Sequence, residues 1–295
     1  RACSVISSRN SGIVRMVNNS RHAVVIGGGI VGNLTAYLLA MHGVKVTVIE
    51  ADSLGSHASG FAFGELGDLE GAGIPNPLLD FSVWCNQRHK SLSAELYDAS
   101  GIDNEFQNVQ RVTLAFTSEE KVRLQDQLKW QAQVAEYDTY WMTPDELSVL
   151  EPRLSPDCLG GSYIANAKAV EPYRCTLAAA QSAQKLGVEI LLRKVTNLLQ
   201  RGSICEGVEF EGGRIESDLV VLAMGPWTMF ASEWCGIDIP VTPLKGQMLR
   251  LKTNGEPLKA SFHYGSSYAA SKSDGLIWAG TTEETVGFDE TTTVD

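Results

Sequence analysis

The chain has 295 residues, 44% hydrophobic and 20% charged, enough for one large or two ordinary domains with a substantial core, which excludes a disordered segment. A net charge of -11, with no Lys/Arg run outside a thin N-terminal scatter, excludes a nucleic-acid or anionic-membrane surface and points to a small-molecule partner. Six dispersed cysteines and five histidines without ligand spacing exclude a metal site and a disulfide scaffold; the thiols read as free in a reducing compartment, the cytoplasm.

The first fifteen residues, "RACSVISSRNSGIVR", hold Arg and Ser but no acid, a composition shared with transit peptides, and lack the apolar core of a secretory signal. With Met16 so close to the first predicted strand, they read as sequence upstream of a start at Met16. Residues 1–21 are expected to form a disordered extension.

Residues 23–52, "AVVIGGGIVGNLTAYLLAMHGVKVTVIEAD", are apolar enough to raise a membrane span, but Asn33, Thr35, His42 and Lys45 interrupt them. The pattern predicts a buried strand over 23–26, a helix over 31–41 closing at Gly43, and a second buried strand over 44–49. Gly27, Gly29 and Gly32 make G-x-G-x-x-G at the strand-to-helix turn, where bare backbone lets a pyrophosphate reach the helix N-terminus at Ile30 and Val31. Glu50 ends the second strand 18 residues beyond Gly32, placed to accept from ribose hydroxyls; an acid there favours FAD or NAD over NADP.

From Ala51 the chain reads "ADSLGSHASGFAFGELGDLEG", a small-residue loop where a plain NAD domain continues with a regular strand and helix; that departure favours a flavin. Further on, residues 111–117 alternate as a strand and 118–135 form a charged amphipathic helix. Thr143-Pro144-Asp145-Glu146 caps a short helix. Pro172 suits the first turn of a helix running to about Leu186, stopped by Gly187 before a strand over 188–192. Residues 219–223 are another buried strand. The stretches "PVTPLKGQMLRLKTN" and "SFHYGSSYAASKSDGLIWAGTT" read as strands, with a hairpin turn at Ser273-Asp274-Gly275.

Taken in order, the glycine motif with Glu50, "HASGFAFGELG", "AVEPYRCTLAAAQSAQKLGVEI", "RKVTNLL", "DLVVLAMGPWT", "PVTPLKGQMLRL" and "SSYAASKSDGLIWAGTT" resemble the D-amino-acid oxidase superfamily of FAD-dependent amine oxidoreductases, its glycine oxidase branch most of all. The resemblance runs from about Arg21 to Asp295. It implies an α/β fold: a Rossmann-like FAD-binding domain over 22–95 and 166–236, with an inserted mixed α+β substrate domain over 96–165 and 237–295.

For the cofactor the resemblance nominates the glycine-turn residues with Glu50 and Ala51, and Ala58, Ser59, Phe63, Gly64 and Glu65 in the wrapping loop. It adds Val195, whose backbone holds the adenine in the family and which by itself reads as strand core. It also adds Gly225 and Trp227, the latter equally readable as a core aromatic. For the substrate it nominates Gly67, Tyr268 and Glu283. Tyr268 matches a pocket tyrosine that can hydrogen-bond a small amino acid, against the alternative of a tyrosine packing across a sheet, and Glu283 stands where glycine oxidases have an apolar residue. His263 is near the pocket in sequence and is not assigned a catalytic role.

The implied reaction is oxidation of the C–N bond of a small amino acid or secondary amine, of the glycine, sarcosine or D-amino-acid type, by hydride transfer from Cα to flavin N5. Oxygen or another acceptor takes the electrons, and a homo-oligomer is left open. The family's carboxylate-binding Arg lies in a "WAGxRP" segment; here Thr281-Thr282 follow Trp278-Ala279-Gly280, within a stretch matching an earlier strand. The sequence therefore reads as a fragment of a longer enzyme. The alternatives are an FAD-binding but catalytically incomplete fragment or paralogue, and a flavin enzyme acting on a different amine; the low Lys/Arg content argues against an RNA substrate.

Overall fold

The computed structural model describes residues 21–67, 69–71 and 73–293. The expected extension over 1–21, with Met16, lies outside these except for Arg21. Among the described residues no helix is long and apolar enough to cross a membrane.

The opening unit forms as the hydrophobic pattern predicts: β1 (His22–Ile26), α1 (Ile30–Met41) and β2 (Lys45–Glu50), with Gly43 taking a left-handed φ of +78° just past the helix. A loop follows with the short α2 (Ala58–Phe61) and β3 (Glu65–Leu66), then the long α3 (Leu79–Ser100). Next come β4 (Gln107–Ala115), α4 (Ser118–Gln131), β5 (Thr139–Met142), α5 (Pro144–Leu150) and β6 (Gly160–Ala169). The chain continues through α6 (Pro172–Lys185), β7 (Glu189–Leu192), β8 (Val195–Arg201), β9 (Ile204–Phe210), β10 (Gly213–Glu216) and β11 (Leu219–Leu222). It closes with a 3-10 turn over Gly225–Phe230, α7 (Ala231–Cys235), β12 (Met248–Leu251), β13 (Ser261–Tyr264), β14 (Ser267–Ser271) and β15 (Ile277–Gly280).

Three sheets organise these elements. The first is parallel, in the order β11-β1-β2-β7. Its strands are covered on both faces, which explains their unbroken apolar runs. Ala23, Val25, Val46 and Val48 face α1, α3 and α6, where Ala36, Leu96, Ala178, Ala179 and Ala183 complete one core. Val24, Ile26 and Ile49 face the other way, onto Val195, Leu198 and Val208 of the antiparallel sheet β10-β9-β8. Each fully buried valine of this layer contributes about 1.5–3 kcal/mol relative to exposure.

The third sheet is mixed and eight-stranded, in the order β12-β15-β14-β13-β4-β6-β3, with β5 also on β6. One of its faces is a separate core of Val112, Leu114, Tyr163 and Phe262 with Met142 and Leu147. β6 runs across the expected boundary at 165/166, and β3 reaches this sheet from within the first expected segment. Short reaches of the chain are fixed by caps: Thr117 and Thr143 each accept from the amide three residues on, and Glu120 and Glu146 bond back to the cap amides.

Candidate active site

The glycine turn is shaped by close backbone approaches. Gly27 has φ +110°, and a Cβ there would sit 2.2 Å from Ala223 O; one at Gly32 would sit 1.9 Å from Gly27 O. The first closes the turn onto the chain leaving β11, and the second seats α1 against the turn. Gly27 N–H donates to Ile49 O at 2.9 Å, and the fully buried Asn33 amide donates to Gly28 O at 2.7 Å and Gly29 O at 3.1 Å.

Glu50 braces the same turn: its carboxylate accepts from Gly28 N–H at 2.5 Å through Oε2 and from Asp52 N–H at 2.8 Å through Oε1. A carboxylate has room for further donors. Ala51 beside it is exposed, as is Val31 on the first turn of α1, while Ile30 is half-buried with its amide donating to Ser59 Oγ at 3.0 Å. α1 has no acid in its first turn and its N-cap, Gly29, has no side chain, so the acceptors at its positive end come from Glu50 and Ser59 outside the helix. At Gly29 a Cβ would meet Ser59 Oγ at 2.9 Å. Bare backbone at the open N-terminus of a twelve-residue helix, with an acid at the end of the neighbouring strand, fits the pyrophosphate and ribose of a dinucleotide.

The expected wrapping loop lies against this turn and leads away from it. Ala58 and Ser59 open α2, with Ala58 exposed. Gly64, at φ +85°, is pinned to Val170, whose O would stand 2.2 Å from a Cβ there and whose N–H donates to Gly64 O at 2.8 Å. Between them the Phe63 ring stacks on Tyr268 at 3.9 Å, and Phe63 O accepts from Lys272 Nζ at 2.5 Å. Four residues span at most about 14 Å, so the Phe63 Cα lies within that reach of the Ser59 Cα beside the cofactor turn. Burial raises the Tyr268 phenol above its usual value, against a hydrogen bond with Thr281, so it stays a neutral O–H. Burial likewise lowers Lys272, against the pull of Glu65 and Glu171.

Trp227 stands at the other side of the turn, its ring 4.7 Å from His57 and stacked on Phe288 at 5.2 Å. Gly225 before it takes φ +53° and is exposed. The Val195 side chain is core, packed with Val24 and Ile49. Gly67 follows β3 and faces Glu70 and Arg111. Glu283 is exposed, three residues beyond the Gly280 that pairs with Tyr268, and is the nominated residue least drawn into the group.

Glu65, nominated with the wrapping loop for the cofactor, has its side chain engaged within the sheet. As a β3 residue paired with Ala169, it turns its carboxylate into the eight-stranded sheet. There it accepts from Ser261 Oγ at 2.8 Å, meets His263 Nε2 at 2.9 Å, and lies 3.6 Å from Arg111 Nε. Burial works to raise Glu65, but the His263 hydrogen bond and the Arg111 charge outweigh it and hold the carboxyl below its usual range. His263 Nδ1 faces Arg111 Nη2 at 3.4 Å, while its Nε2 is turned to Ser261 Oγ and Glu65 Oε2. Arg111 and Glu70 escaped the sequence reading. The available signal was parity: Arg111 and Thr113 alternate with Val112 and Leu114, marking one polar face of β4.

Comparison with known proteins follows from this geometry. The family DAO, described as FAD dependent oxidoreductase, matches residues 22–295. Glycine oxidase of Bacillus subtilis (strain 168) is 28% identical over 270 residues, which cover 91% of this chain and 71% of that protein. Hydrogen cyanide synthase subunit HcnC of Pseudomonas protegens is 26% identical, over 92% of this chain and 73% of its own. The crystal structure of glycine oxidase from Bacillus cereus ATCC 14579 superposes with a TM-score of 0.83 at 27% identity, covering 93% of this chain and 74% of that one.

Proposed function

The chain belongs to the DAO family of FAD-dependent oxidoreductases, and from that premise we propose that it oxidises the C–N bond of a small amino acid or secondary amine of the glycine, sarcosine or D-amino-acid type. The observation that carries this reading is the continuity of residues 58–67. They start on the dinucleotide turn at Ser59 and lead to the sheet face of Tyr268, so one short segment joins a cofactor cradle to the Phe63–Tyr268 aromatic pair.

In this reading residues 22–95 and 166–236 serve the cofactor, and 96–165 and 237–295 serve the substrate. The backbone at Gly29, Ile30, Val31 and Gly32 holds the pyrophosphate and Glu50 the ribose. Ala51, Ala58, Ser59, Phe63, Gly64, Val195, Gly225 and Trp227 line the rest of the cofactor's path. Bound FAD would supply the electron acceptor for a hydride leaving the substrate Cα.

What the chain contributes to that step is position. Reaction needs the two centres held about 3 to 3.5 Å apart. Tyr268, fixed by its stack on Phe63 and kept protonated by burial, donates a hydrogen bond to the substrate and sets its orientation. Phe63 and Tyr268 together exclude water from that side. The substrate leaves as an imine, which adds water and breaks down to a carbonyl product and ammonia or an amine.

The test is direct. FAD-loaded protein mixed anaerobically with glycine, sarcosine or D-alanine should lose its oxidised flavin absorption with at least one of them. Retention of the oxidised spectrum with every amine would refute the proposal.

A further inference from the structure

The sheet face that carries Tyr268 also carries a charged group the cofactor cradle does not use. Tyr268 lies opposite His263 in the β13–β14 register, and Ser261 and His263 lie opposite Arg111 and Thr113 in the β13–β4 register. One face therefore presents Tyr268, His263 and Arg111 on three successive strands. With neighbouring strands about 4.8 Å apart and Arg111 two residues along β4 from the Thr113 that stands opposite His263, Arg111 is roughly 12 Å from Tyr268 along the sheet.

Arg111 is 7% exposed, yet its donors are poorly used. Nε has no hydrogen-bond partner, although Glu65 Oε1 is 3.6 Å away and is equally unpartnered. Nη2 donates to Glu70 Oε1 and faces His263 Nδ1 at 3.4 Å. Buried polar groups are almost always satisfied, and leaving them unmade is costly.

The two carboxylates beside this guanidinium differ in how firmly they are held. Glu65 is 6% exposed and fixed by Ser261 and His263. Glu70 is 43% exposed and, among the described residues, hydrogen-bonds only to Arg111. Gly67 lies across from both: a Cβ there would stand 3.2 Å from Glu70 Oε1 and 3.7 Å from Arg111 Nη1, so the missing side chain leaves that edge of Arg111 open. Beside Glu70 is a cavity of about 190 Å³ whose polar lining includes Arg111, Arg123, Gln127, Thr113 and Ser162. Two guanidinium groups with one displaceable carboxylate make a site for an anion of amino-acid size.

We propose that Arg111 is a specificity-determining residue that takes a second carboxylate carried by the substrate, in exchange for Glu70, so that the chain prefers amines bearing an additional acid group. The exchange keeps Arg111 neutralised before and after, and the displaced Glu70 turns toward solvent that it already half reaches. This inference rests on the amine-oxidoreductase reading for its substrate, but not for its binding chemistry.

The experiment separates the two. Succinate and butyrate match in carbon length, differ by one carboxylate, and have no C–N bond to oxidise. Isothermal titration of the FAD-loaded protein should show succinate binding at least about tenfold more tightly than butyrate, as a charge-assisted hydrogen bond implies. Glu70→Gln, which removes the competing anion from a half-exposed position, should tighten succinate further. Arg111→Met should abolish the preference and Arg111→Lys should retain part of it. If Arg111→Met leaves the buried Glu65 uncompensated and does not fold, Glu70→Gln decides alone. Equal affinity for the two acids in wild type and in Glu70→Gln overturns the proposal. In parallel, bleaching by D-alanine without succinate preference leaves the amine reading standing and this one refuted; succinate preference without bleaching by any amine does the reverse.

Discussion

Gly32→Ala isolates the role of the glycine turn. The added Cβ would stand 1.9 Å from Gly27 O, 3.1 Å from Gly27 C and 3.4 Å from Val25 Cγ1. Real Cβ contacts do not fall below 3.0 Å, so the backbone of one partner has to move. Gly27 is tied on the other side by its hydrogen bond to Ile49 O and its approach to Ala223 O, so α1 is the element that lifts. Overpacking of this kind costs about 1–3 kcal/mol. In a protein of this size that corresponds to a fall of several degrees in Tm. Lifting α1 also withdraws its N-terminal amides from the cofactor, so FAD affinity should fall by at least about tenfold. Gly29→Ala provides the contrast: its Cβ meets only the rotatable Ser59 hydroxyl, so it should weaken FAD binding while leaving Tm nearly unchanged. Melting by circular dichroism and flavin-fluorescence titration measure both. A Gly32→Ala protein with wild-type Tm and FAD affinity would refute the reasoning.

Glu65 is held below its ordinary value of 4.5, so its share of stability is complete above that pH and is lost as pH falls through the lower folded value. Wild type should therefore lose Tm more steeply below about pH 4.5 than Glu65→Gln does, and parallel curves would contradict this. Thr117→Ala removes the hydroxyl that caps α4 and should cost about 1 kcal/mol in urea unfolding, with FAD affinity unchanged. Tyr268→Phe should raise KM for the amine by about tenfold through the lost hydrogen bond, with the flavin spectrum retained; an unchanged KM would place the tyrosine outside the substrate pocket.

The parts of the fold that were legible in the sequence are those fixed by local rules. Gly27 and Gly43 needed positive φ, Thr143 sat three residues before Glu146, and Pro172 opened a helix; each gave its element within a few residues. α3 was not legible, for a physical reason: its buried side includes Asn86, Ser93 and Ser100, while Phe81, Trp84 and Tyr97 are exposed, so polarity does not follow the helical period. The strands β8, β9 and β10 carry exposed residues at both parities, so no alternation marks them in the sequence. In the site, the cofactor turn was readable because its chemistry lies in one contiguous motif. The group of Glu65, Glu70, Arg111 and His263 was not, because it is assembled from β3 and its loop, β4 and β13. Arg111 lies 152 positions from His263 and 41 from Glu70, and only the strand register brings them together. Its burial makes it consequential, and burial is not written in any one segment.

The central claim is that this chain positions an amine Cα for oxidation at a bound flavin. The most direct measurement is stopped-flow bleaching of the FAD-loaded protein by its best amine substrate and by the same substrate deuterated at Cα, with the carbonyl and ammonia or amine products quantified. The account predicts bleaching slowed severalfold by deuterium and one equivalent of each product per flavin reduced. Bleaching without those products, or an absence of bleaching with every amine offered, would contradict it.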